Sequence, residues 1–364
     1  MKPTSRLHHK ASGDDRTARQ YLLDRINASW TTQAIATSVE LRIPDLLAAG
    51  PRDVEALARA SSCHAPSLQR LISALASLDL VEQRNDGMVA LTPTGALLRT
   101  DTDDSLAWWS LLWGRSSWVS WASLADSVRT GQSARRRSGG TDDFAAFGCD
   151  RTAADAFARA MTNLTGAVAD AIVEAIDFGG IDRIVDVGGS HGRLLGTILA
   201  AYSGLRGTLF DLEHAISRAC DELKRMGVAE RCELVSGSFF DAVPPGADVY
   251  LLKSILHDWD DEHCAAILQQ CVRAMSSEPE QRARLLVIER IRPERFAATA
   301  RDQAIARSDL NMLVSLGGRE RTEREYRALL DAAGLRLVRI TDLPGEFNVI
   351  EARMASNAAE LKAT

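Results

Sequence analysis

The sequence lacks the features that would direct it to a membrane, to nucleic acid or out of the cell. It has 364 residues and no apolar run near the ~20 residues that a membrane-spanning helix requires. Its formal net charge of −6 argues against binding nucleic acid or an anionic membrane surface. Residues 1–19 are polar and basic without the apolar core of a secretory signal, so we expect a loose tail.

Cysteine is scarce as well. The six cysteines are scattered along the chain, and no two of them stand in a CxxC arrangement. Free thiols are the simplest interpretation of this pattern. We therefore expect a protein of the reducing cytoplasm.

What the sequence has is enough apolar residues for two cores. Hydrophobic residues make up 46% of the chain and charged residues 25%, as in ordinary globular proteins. The length exceeds that of one typical core. We expect one domain over residues 20–105, a helical connector over residues 106–178 and a second domain over residues 179–355.

The first domain shows the order of a winged helix. Helical periodicity covers residues 21–47, and two shorter helices follow. The turn residues 85–87, Asn-Asp-Gly, then join two short apolar runs, as in a β-hairpin. The helix that would read DNA, residues 65–80, carries one basic residue, Arg70, whereas DNA readers need several.

The connector holds most of the tryptophans: Trp108, Trp109, Trp113, Trp118 and Trp121. Such a cluster is more typical of core packing than of a cavity wall, which is the alternative. Residues 135–140 contain an arginine triplet followed by Ser-Gly-Gly. We interpret them as a flexible, solvated loop.

Short β-rich runs alternate with helical runs over the second domain, which predicts a doubly wound α/β sheet of the Rossmann type. The predicted strands are residues 183–187, 207–211, 232–236, 248–253, 284–290, 335–341 and 347–352. The predicted helices lie near residues 192–201, 213–226, 261–275, 303–316 and 323–333. A short polar turn joins the last two strands as a hairpin, so one strand should run antiparallel to the others.

A glycine-rich turn follows the first strand of that sheet. Gly188 and Gly189 begin it, and a helix starts after Gly192, so free N–H groups and a partial positive charge face a ligand. The spacing G-G-x-x-G differs from the dinucleotide fingerprint G-x-G-x-x-G. Asp211 ends the second strand, where an acidic residue can bind ribose hydroxyls. A nucleoside that carries a carboxylate in place of phosphates fits both features, which favours S-adenosylmethionine over the rival nicotinamide cofactor.

The fourth strand ends in a polar segment that contains His257. A single histidine is more often structural than catalytic, but catalytic groups in open α/β folds lie at the carboxyl ends of strands. Three nearby aspartates, Asp258, Asp260 and Asp261, suggest a magnesium site, although acidic residues more often begin a helix. We find no metal-ligand constellation in the sequence and expect no metal.

This segment also carries a family likeness. The run KSILHDWDDEHC over residues 253–264 resembles the signature of the plant-type small-molecule O-methyltransferases, which include caffeic acid and isoflavone methyltransferases. The bacterial branch, which methylates polyketide and other antibiotic scaffolds, is the closer likeness. The resemblance covers residues 21–352, and four further pieces match: DVGG at 186–189, FDL at 210–212, GSFF at 237–240 and GGRERT at 317–322.

The resemblance implies a Rossmann-like methyltransferase domain and an N-terminal winged-helix domain that forms a homodimer. It implies that His257 is the general base, flanked by Glu289 and Glu320. S-Adenosylmethionine, which leaves as S-adenosylhomocysteine, would contact Gly188, Gly189, Asp211, Ser238, Phe239 and Lys253. A small aromatic substrate would contact Trp113, Met161, Asn311 and Met312. Many relatives carry an aspartate where this chain has Ser238, so that contact would be weaker.

The chemistry that the resemblance implies explains the need for a base. The sulfonium is an excellent leaving group, so the protein has to align the partners and supply an oxygen nucleophile. A phenol has a pKa of ~10 and a neutral imidazole a pKa of ~6.5. Removal of the phenol proton must therefore be coupled to methyl transfer or helped by the site.

Two alternatives stand beside O-methylation of a phenol or hydroxylated polyketide. A relative can keep the cofactor and catalyse a hydroxylation or a cyclisation, because a fold does not fix its function. The intact set of His257, Glu289 and Glu320 argues against that alternative. The other is a winged-helix regulator whose second domain senses a ligand.

Overall fold

The computed structural model describes residues 18–102, 104–140, 151–276 and 283–355 of the chain. The chain divides into two compact units, residues 1–96 and residues 97–364. Among the described residues, no helix is long and apolar enough to cross a membrane. Most of the predicted tail and Cys149 lie outside the described residues.

The first unit combines helices with a small antiparallel sheet. Its elements are α1 (Ala18–Glu40), α2 (Ile43–Ala48), β1 (Arg52–Asp53), α3 (Val54–Ala60), α4 (Ala65–Ser77), β2 (Val81–Gln83), β3 (Met88–Leu91) and α5 (Pro93–Ala96). Strand β3 lies between β1 and β2 and is antiparallel to both. The predicted order of helix, helix and hairpin is confirmed. Strand β1 has two residues, too few for a periodic signal in the sequence.

The second unit begins with helices. These are α6 (Ala107–Gly114), α7 (Ser116–Trp121), α8 (Leu124–Thr130), α9 (Ala134–Arg137) and α10 (Arg151–Ala175). The prediction of a flexible loop over residues 135–140 is wrong for the arginine triplet, which forms α9. Ser133 caps this helix, because its hydroxyl accepts a hydrogen bond from the backbone N–H of Arg136 at 3.0 Å.

The rest of the second unit is an α/β sandwich. Its strands are β4 (Arg183–Val187), β5 (Arg206–Asp211), β6 (Cys232–Ser236), β7 (Val249–Lys253), β8 (Arg284–Glu289), β9 (Leu335–Asp342) and β10 (Asn348–Met354). Its helices are α11 (Arg193–Ala201), α12 (Ala219–Arg225), α13 (Asp261–Met275), α14 (Ala300–Ser315) and α15 (Glu323–Ala332). Helix α12 is shorter than the predicted 213–226, because residues after β5 form turns.

The strands form one sheet in the order β6-β5-β4-β7-β8-β10-β9. Strands β4 to β8 pair in parallel, whereas β10 is antiparallel to both β8 and β9. The predicted doubly wound sheet with one antiparallel strand is confirmed. Strand β7 is buried on both faces: Tyr250 and Leu252 belong to one hydrophobic core, and Val249 and Leu251 to the other.

A sharp turn leads out of β7. Ser254 adopts the left-handed conformation with φ 54°, and a short 3-10 turn, Leu256–Asp258, follows directly. The fully buried carboxylate of Glu289, at the end of β8, holds this turn from one side. Its Oε1 accepts hydrogen bonds from the backbone N–H groups of Ile255, Leu256 and His257, at 3.0, 2.9 and 3.3 Å.

A second group of contacts holds the other side of the same turn. The guanidinium of Arg321 has no exposed surface and donates to the carbonyls of Leu256 and Trp259, each at 2.7 Å. The backbone N–H of Arg319 donates to the His257 carbonyl at 2.8 Å. A Cβ at Gly318 would lie 2.1 Å from that same carbonyl oxygen, so only glycine lets the segment approach this closely.

Substitution of Gly318 should therefore strain the turn. In Gly318→Ala the new methyl group meets backbone atoms that cannot rotate away, and we expect a loss of about 1–3 kcal/mol in the free energy of unfolding. Chemical denaturation measures this loss. Gly204→Ala is the matched control, because a Cβ at Gly204 would meet nothing within 4 Å. Equal stability of the two variants would contradict the proposed close packing.

Candidate active site

His257 lies in the turn after β7, at the carboxyl end of the parallel strands, as the sequence predicts. Its side chain is 7% exposed, and its Nδ1 is 3.0 Å from Oε1 of Glu320. An ionised carboxylate only accepts hydrogen bonds, so Nδ1 carries the proton in this pair. The other ring nitrogen, Nε2, lies 3.3 Å from Oδ1 of Asp258.

The two glutamates that flank His257 make different contacts. Glu320 binds the ring directly, and its Oε1 also accepts a hydrogen bond from the Ser308 hydroxyl at 2.6 Å. Glu289 bonds mainly to the backbone of the turn, and its Oε2 lies 3.6 Å from Nδ1 without a hydrogen-bond partner of its own. The sequence predicts the same role for both glutamates, whereas the structure shows that one contacts the ring and the other contacts the backbone.

The three carboxylates around His257 dominate its electrostatics. Burial alone would lower the pKa of the imidazole, but the surrounding charges, that of Glu289 above all, raise this pKa to about 10. Burial also raises the pKa of Asp258 to about 7. Although burial acts in the same direction on Glu320, His257 and Arg290 hold the pKa of Glu320 below its usual value. The site thus stabilises a protonated ring beside an ionised Glu320.

The composition of this cluster also suits a metal ion, because His257, Glu289 and Glu320 bring ligand atoms within 4.8 Å of one another. The separation of 3.0 Å between Nδ1 and Glu320 is that of an ordinary charge-assisted hydrogen bond. Of the three aspartates that suggested magnesium, Asp258 lies beside His257, and the other two are engaged elsewhere. Asp260 caps α13 by accepting from the His263 N–H, and Asp261 binds Arg321.

The glycine turn after β4 lies near the base, and its packing explains both glycines. Gly188 has φ 76°, and a Cβ there would lie 2.4 Å from Cδ1 of Ile255. A Cβ at Gly189 would lie 2.5 Å from the Asp186 carboxylate. The turn therefore requires glycine for its own packing as well as for access by a ligand.

Two carboxylates stand at this end of the sheet. Asp211 accepts hydrogen bonds from the backbone N–H groups of Ser190 and Leu212, at 2.8 and 2.7 Å, so its orientation is fixed. Asp186 is buried, and its Oδ2 has no hydrogen-bond partner. Burial raises the pKa of Asp186 to about 7. Both groups can accept hydrogen bonds from a ligand that offers hydroxyl or ammonium donors, as S-adenosylmethionine does.

One cavity of about 1300 Å³ joins the glycine turn to the base. Typical small-molecule pockets measure roughly 300–1,000 Å³, so this one has room for a cofactor and an acceptor together. All of its lining residues belong to the unit of residues 97–364. They include every residue predicted to contact the cofactor or the substrate: Gly188, Gly189, Asp211, Ser238, Phe239, Lys253, Trp113, Met161, Asn311 and Met312. Of the predicted catalytic groups, His257 lines the cavity, whereas Glu289 and Glu320 lie behind it.

The tryptophans do not form a buried core. None of the five is fully buried, and Trp109 and Trp113 line the cavity with ring centroids 5.6 Å apart in an edge-to-face arrangement. The favoured interpretation of core packing is therefore wrong for these two, and Trp109 is a lining residue that the sequence did not single out. Trp121 is 5.9 Å from Trp113 and donates from Nε1 to Oδ1 of Asn311 at 3.1 Å.

Two family models match the chain. The O-methyltransferase domain matches residues 121–336, and the O-methyltransferase dimerisation domain matches residues 23–101. The phenazine O-methyltransferase of Lysobacter antibioticus is 35% identical over 91% of this chain and 95% of its own length. The mitomycin biosynthesis 6-O-methyltransferase of Streptomyces lavendulae is 37% identical over 93% of this chain and 95% of its own.

A solved structure gives the same result for the fold. An O-methyltransferase from neocarzinostatin biosynthesis, in complex with S-adenosylmethionine and 2-hydroxy-5-methyl naphthoic acid, superposes with a TM-score of 0.75 at 30% identity. The match covers 94% of this chain and all of that one. Relatives with other chemistry exist, since the aclacinomycin 10-hydroxylase of Streptomyces purpurascens is 32% identical over 93% of this chain.

The matched domains cover most of the chain, and relatives of 30% identity or more match it over more than nine tenths of its length. The chain is an S-adenosylmethionine-dependent enzyme that belongs to the O-methyltransferase family.

Proposed function

We propose that this enzyme methylates a hydroxyl group of a small aromatic or polyketide-type secondary metabolite, with His257 as the general base. The observation that carries the proposal is the hydrogen bond from Nδ1 of His257 to Glu320. It fixes the tautomer of the ring and leaves Nε2 as the nitrogen that can accept the proton of the substrate hydroxyl.

The electrostatics of the site match the base to its task. An unperturbed imidazole, with a pKa of ~6.5, is a weak base for a phenol with a pKa of ~10. In this site the carboxylates raise the pKa of His257 to about 10, which makes proton transfer from a phenol nearly balanced. Because His257 must be neutral to accept that proton, the reaction should quicken as the pH rises above neutrality.

The flanking residues are positioning groups in this proposal. Glu320 holds the ring and stabilises the imidazolium that forms when the hydroxyl proton moves to Nε2. Glu289 holds the backbone from which the ring projects. When bound, S-adenosylmethionine supplies a methyl group attached to a sulfonium sulfur. The deprotonated oxygen of the acceptor would bond to the methyl carbon as the carbon–sulfur bond breaks and S-adenosylhomocysteine leaves.

The cofactor would occupy the end of the cavity at the glycine turn. We assign Gly188 and Gly189 to the methionine portion, Asp211 to the ribose, and Ser238, Phe239 and Lys253 to the adenine end (all lining residues). The unpaired Oδ2 of Asp186 supports an additional contact to an ammonium group. The Ser238 hydroxyl accepts from the N–H of Phe240 at 3.2 Å, which supports a weaker role in binding.

The acceptor would occupy the other end. Trp113, Met161, Asn311 and Met312 line it together with Trp109, and such aromatic walls suit a flat aromatic ring. Relatives named for phenazine and for aminohydroxybenzoate O-methylation support the same class of acceptor. The hydroxylase among the relatives makes hydroxylation the second candidate. Incubation with methyl-labelled S-adenosylmethionine and a panel of phenols distinguishes methylation from hydroxylation, because only methylation transfers the label to the acceptor.

We also propose a homodimer formed by the first unit, in the cytoplasm. The dimerisation-domain match supports the dimer. Helix α1 carries exposed apolar side chains, of which Ile26 and Trp30 are 61% and 71% exposed, and such a surface is typical of an interface. The cysteines that the structure describes are free thiols, which supports a reducing compartment.

The first test removes the base. His257→Asn should lower kcat by roughly 10²–10⁴-fold while the affinity for S-adenosylmethionine changes little, because His257 is not among the residues assigned to the cofactor. Steady-state kinetics and calorimetry measure the two quantities. His64→Asn, at an exposed histidine of the first unit, should behave as wild type. Turnover by His257→Asn at the wild-type rate would contradict the assignment of His257 as the base. An unchanged rate of the wild-type enzyme in EDTA would exclude a role for a metal ion.

The second test uses pH. The kcat/KM of the wild type should rise with pH from about 7 towards about 10, as His257 loses its proton. Asp258→Asn removes one charge that raises the pKa of His257, so the profile should move to lower pH. The pKa of the acceptor is the same in both enzymes, so a displaced profile reports on the histidine. Superimposable profiles would show that another group titrates.

The third test addresses the dimer. The double variant Ile26→Glu with Trp30→Glu places two charges on the apolar face of α1 and should yield a monomer in light scattering. Phe296→Glu, at an apolar residue of the second unit that is 44% exposed, is the control and should stay dimeric. A dimeric double variant would place the interface elsewhere.

A further inference from the structure

One face of helix α14 forms a wall of the acceptor end of the cavity. Six of its residues line the cavity: Ala304, Arg307, Ser308, Asn311, Met312 and Ser315. Arg307 and Asn311 are four residues apart, so their side chains leave the same face of the helix one turn apart. The proposed mechanism uses Ser308 to support Glu320 and gives Arg307 no role.

The polar acceptors on this face are already engaged. Oδ1 of Asn311 accepts hydrogen bonds from Nε1 of Trp121 and from the Ser315 hydroxyl, each at 3.1 Å. These bonds fix the orientation of the amide and leave its N–H groups for a ligand. The Ser308 hydroxyl donates its hydrogen bond to Glu320. What the face offers a ligand is therefore a pair of donors, the Asn311 amide and the Arg307 guanidinium.

Arg307 forms no hydrogen bond or ion pair with the described part of the chain, unlike the other arginines of the second unit that stand near its catalytic residues. Arg290, for comparison, binds Glu346 at 3.1 Å, and Arg321 binds Asp261 at 2.8 Å. The Arg307 side chain is exposed and lines the cavity. A guanidinium that makes no such contact within the described residues has five N–H donors to offer a ligand.

Charge is distributed unevenly along the cavity. Its described acidic lining residues lie at the cofactor end, beside the base or in an ion pair with Arg290: Asp186, Asp211, Asp258 and Glu346. Arg115 and Arg135 line the cavity together with Arg307, and α14 packs against α7 and α9. Among the described lining residues, the end that would hold the acceptor thus carries arginine side chains as well as aromatic rings.

We infer that the acceptor is an aromatic hydroxy acid, whose carboxylate is bound by Arg307 and the Asn311 amide while its ring lies against Trp109 and Trp113. A carboxylate matches the planar fork of a guanidinium and takes two hydrogen bonds from it. The inference rests on the proposed function for the position of the acceptor, and it adds Arg307 as the residue that selects for the acid.

Binding of matched probes tests the inference without turnover. Hydroxybenzoic, hydroxynaphthoic and hydroxyphenazine carboxylic acids, each beside its uncharged primary amide, are titrated by calorimetry into the full-length enzyme saturated with S-adenosylhomocysteine. The amide keeps the shape of the acid and removes its charge. Hydrogen bonds to charged groups contribute about 1.5–3 kcal/mol, so at least one acid should bind about 10-fold or more tightly than its amide.

Variants then locate the preference. In Arg307→Gln the preference for the acid should fall to about twofold or less, and in Arg307→Lys, which keeps the charge but not the fork, it should be intermediate. Arg324→Gln removes the same charge from α15, where the side chain is 83% exposed, and should leave the preference unchanged. A preference that survives in Arg307→Gln, or no acid that binds more tightly than its amide, overturns the inference.

The proposed function can be tested independently of the inference about the carboxylate. His257→Asn should retain the preference for the acid, since the base does not bind the carboxylate. If the wild type bound acids through Arg307 and transferred no methyl group, carboxylate binding by Arg307 would be supported and the proposed methylation would be contradicted.

Discussion

The buried carboxylate of Glu289 accepts hydrogen bonds from three successive backbone N–H groups, and the last of these belongs to His257. Parallel pairing of β7 with β8 brings the two segments together, because Lys253 lies opposite Ile288. Without Glu289 these buried donors would have no partner, and each unsatisfied donor costs about 1–3 kcal/mol. Arg321 holds the carbonyls of the same turn, so the position of the histidine is fixed from both sides.

The same constraint sets the chemistry of the ring. Holding the turn with a carboxylate places a negative charge beside the imidazole, and Glu320 and Asp258 add to it. These charges make His257 a stronger base than a free histidine, at the expense of its being protonated near neutral pH. The site therefore combines a rigid backbone with a base whose strength approaches that of a phenolate, and both follow from the same buried acids.

Cofactor and acceptor depend on different parts of the second unit. The groups assigned to the cofactor follow strands β4, β5, β6 and β7, which the sheet fixes in place. The end proposed for the acceptor is lined by helices α6, α9, α10 and α14, whose side chains can change without disturbing the sheet. This arrangement is consistent with relatives that include both methyltransferases and a hydroxylase, because a shared fold does not fix the reaction.

The sequence by itself determined the alternation of strands and helices in the second unit, the hairpin of the first, the glycine turn and the place of His257, because each depends on periodicity or on neighbouring residues. Only the tertiary structure decided that Glu320 holds the ring whereas Glu289 holds the backbone, that Arg321 closes the turn and that Trp109 faces the cavity. Glu320 meets the histidine across 63 residues of sequence. No local pattern encodes such a contact, since the packing of separate elements sets which atoms of a side chain meet.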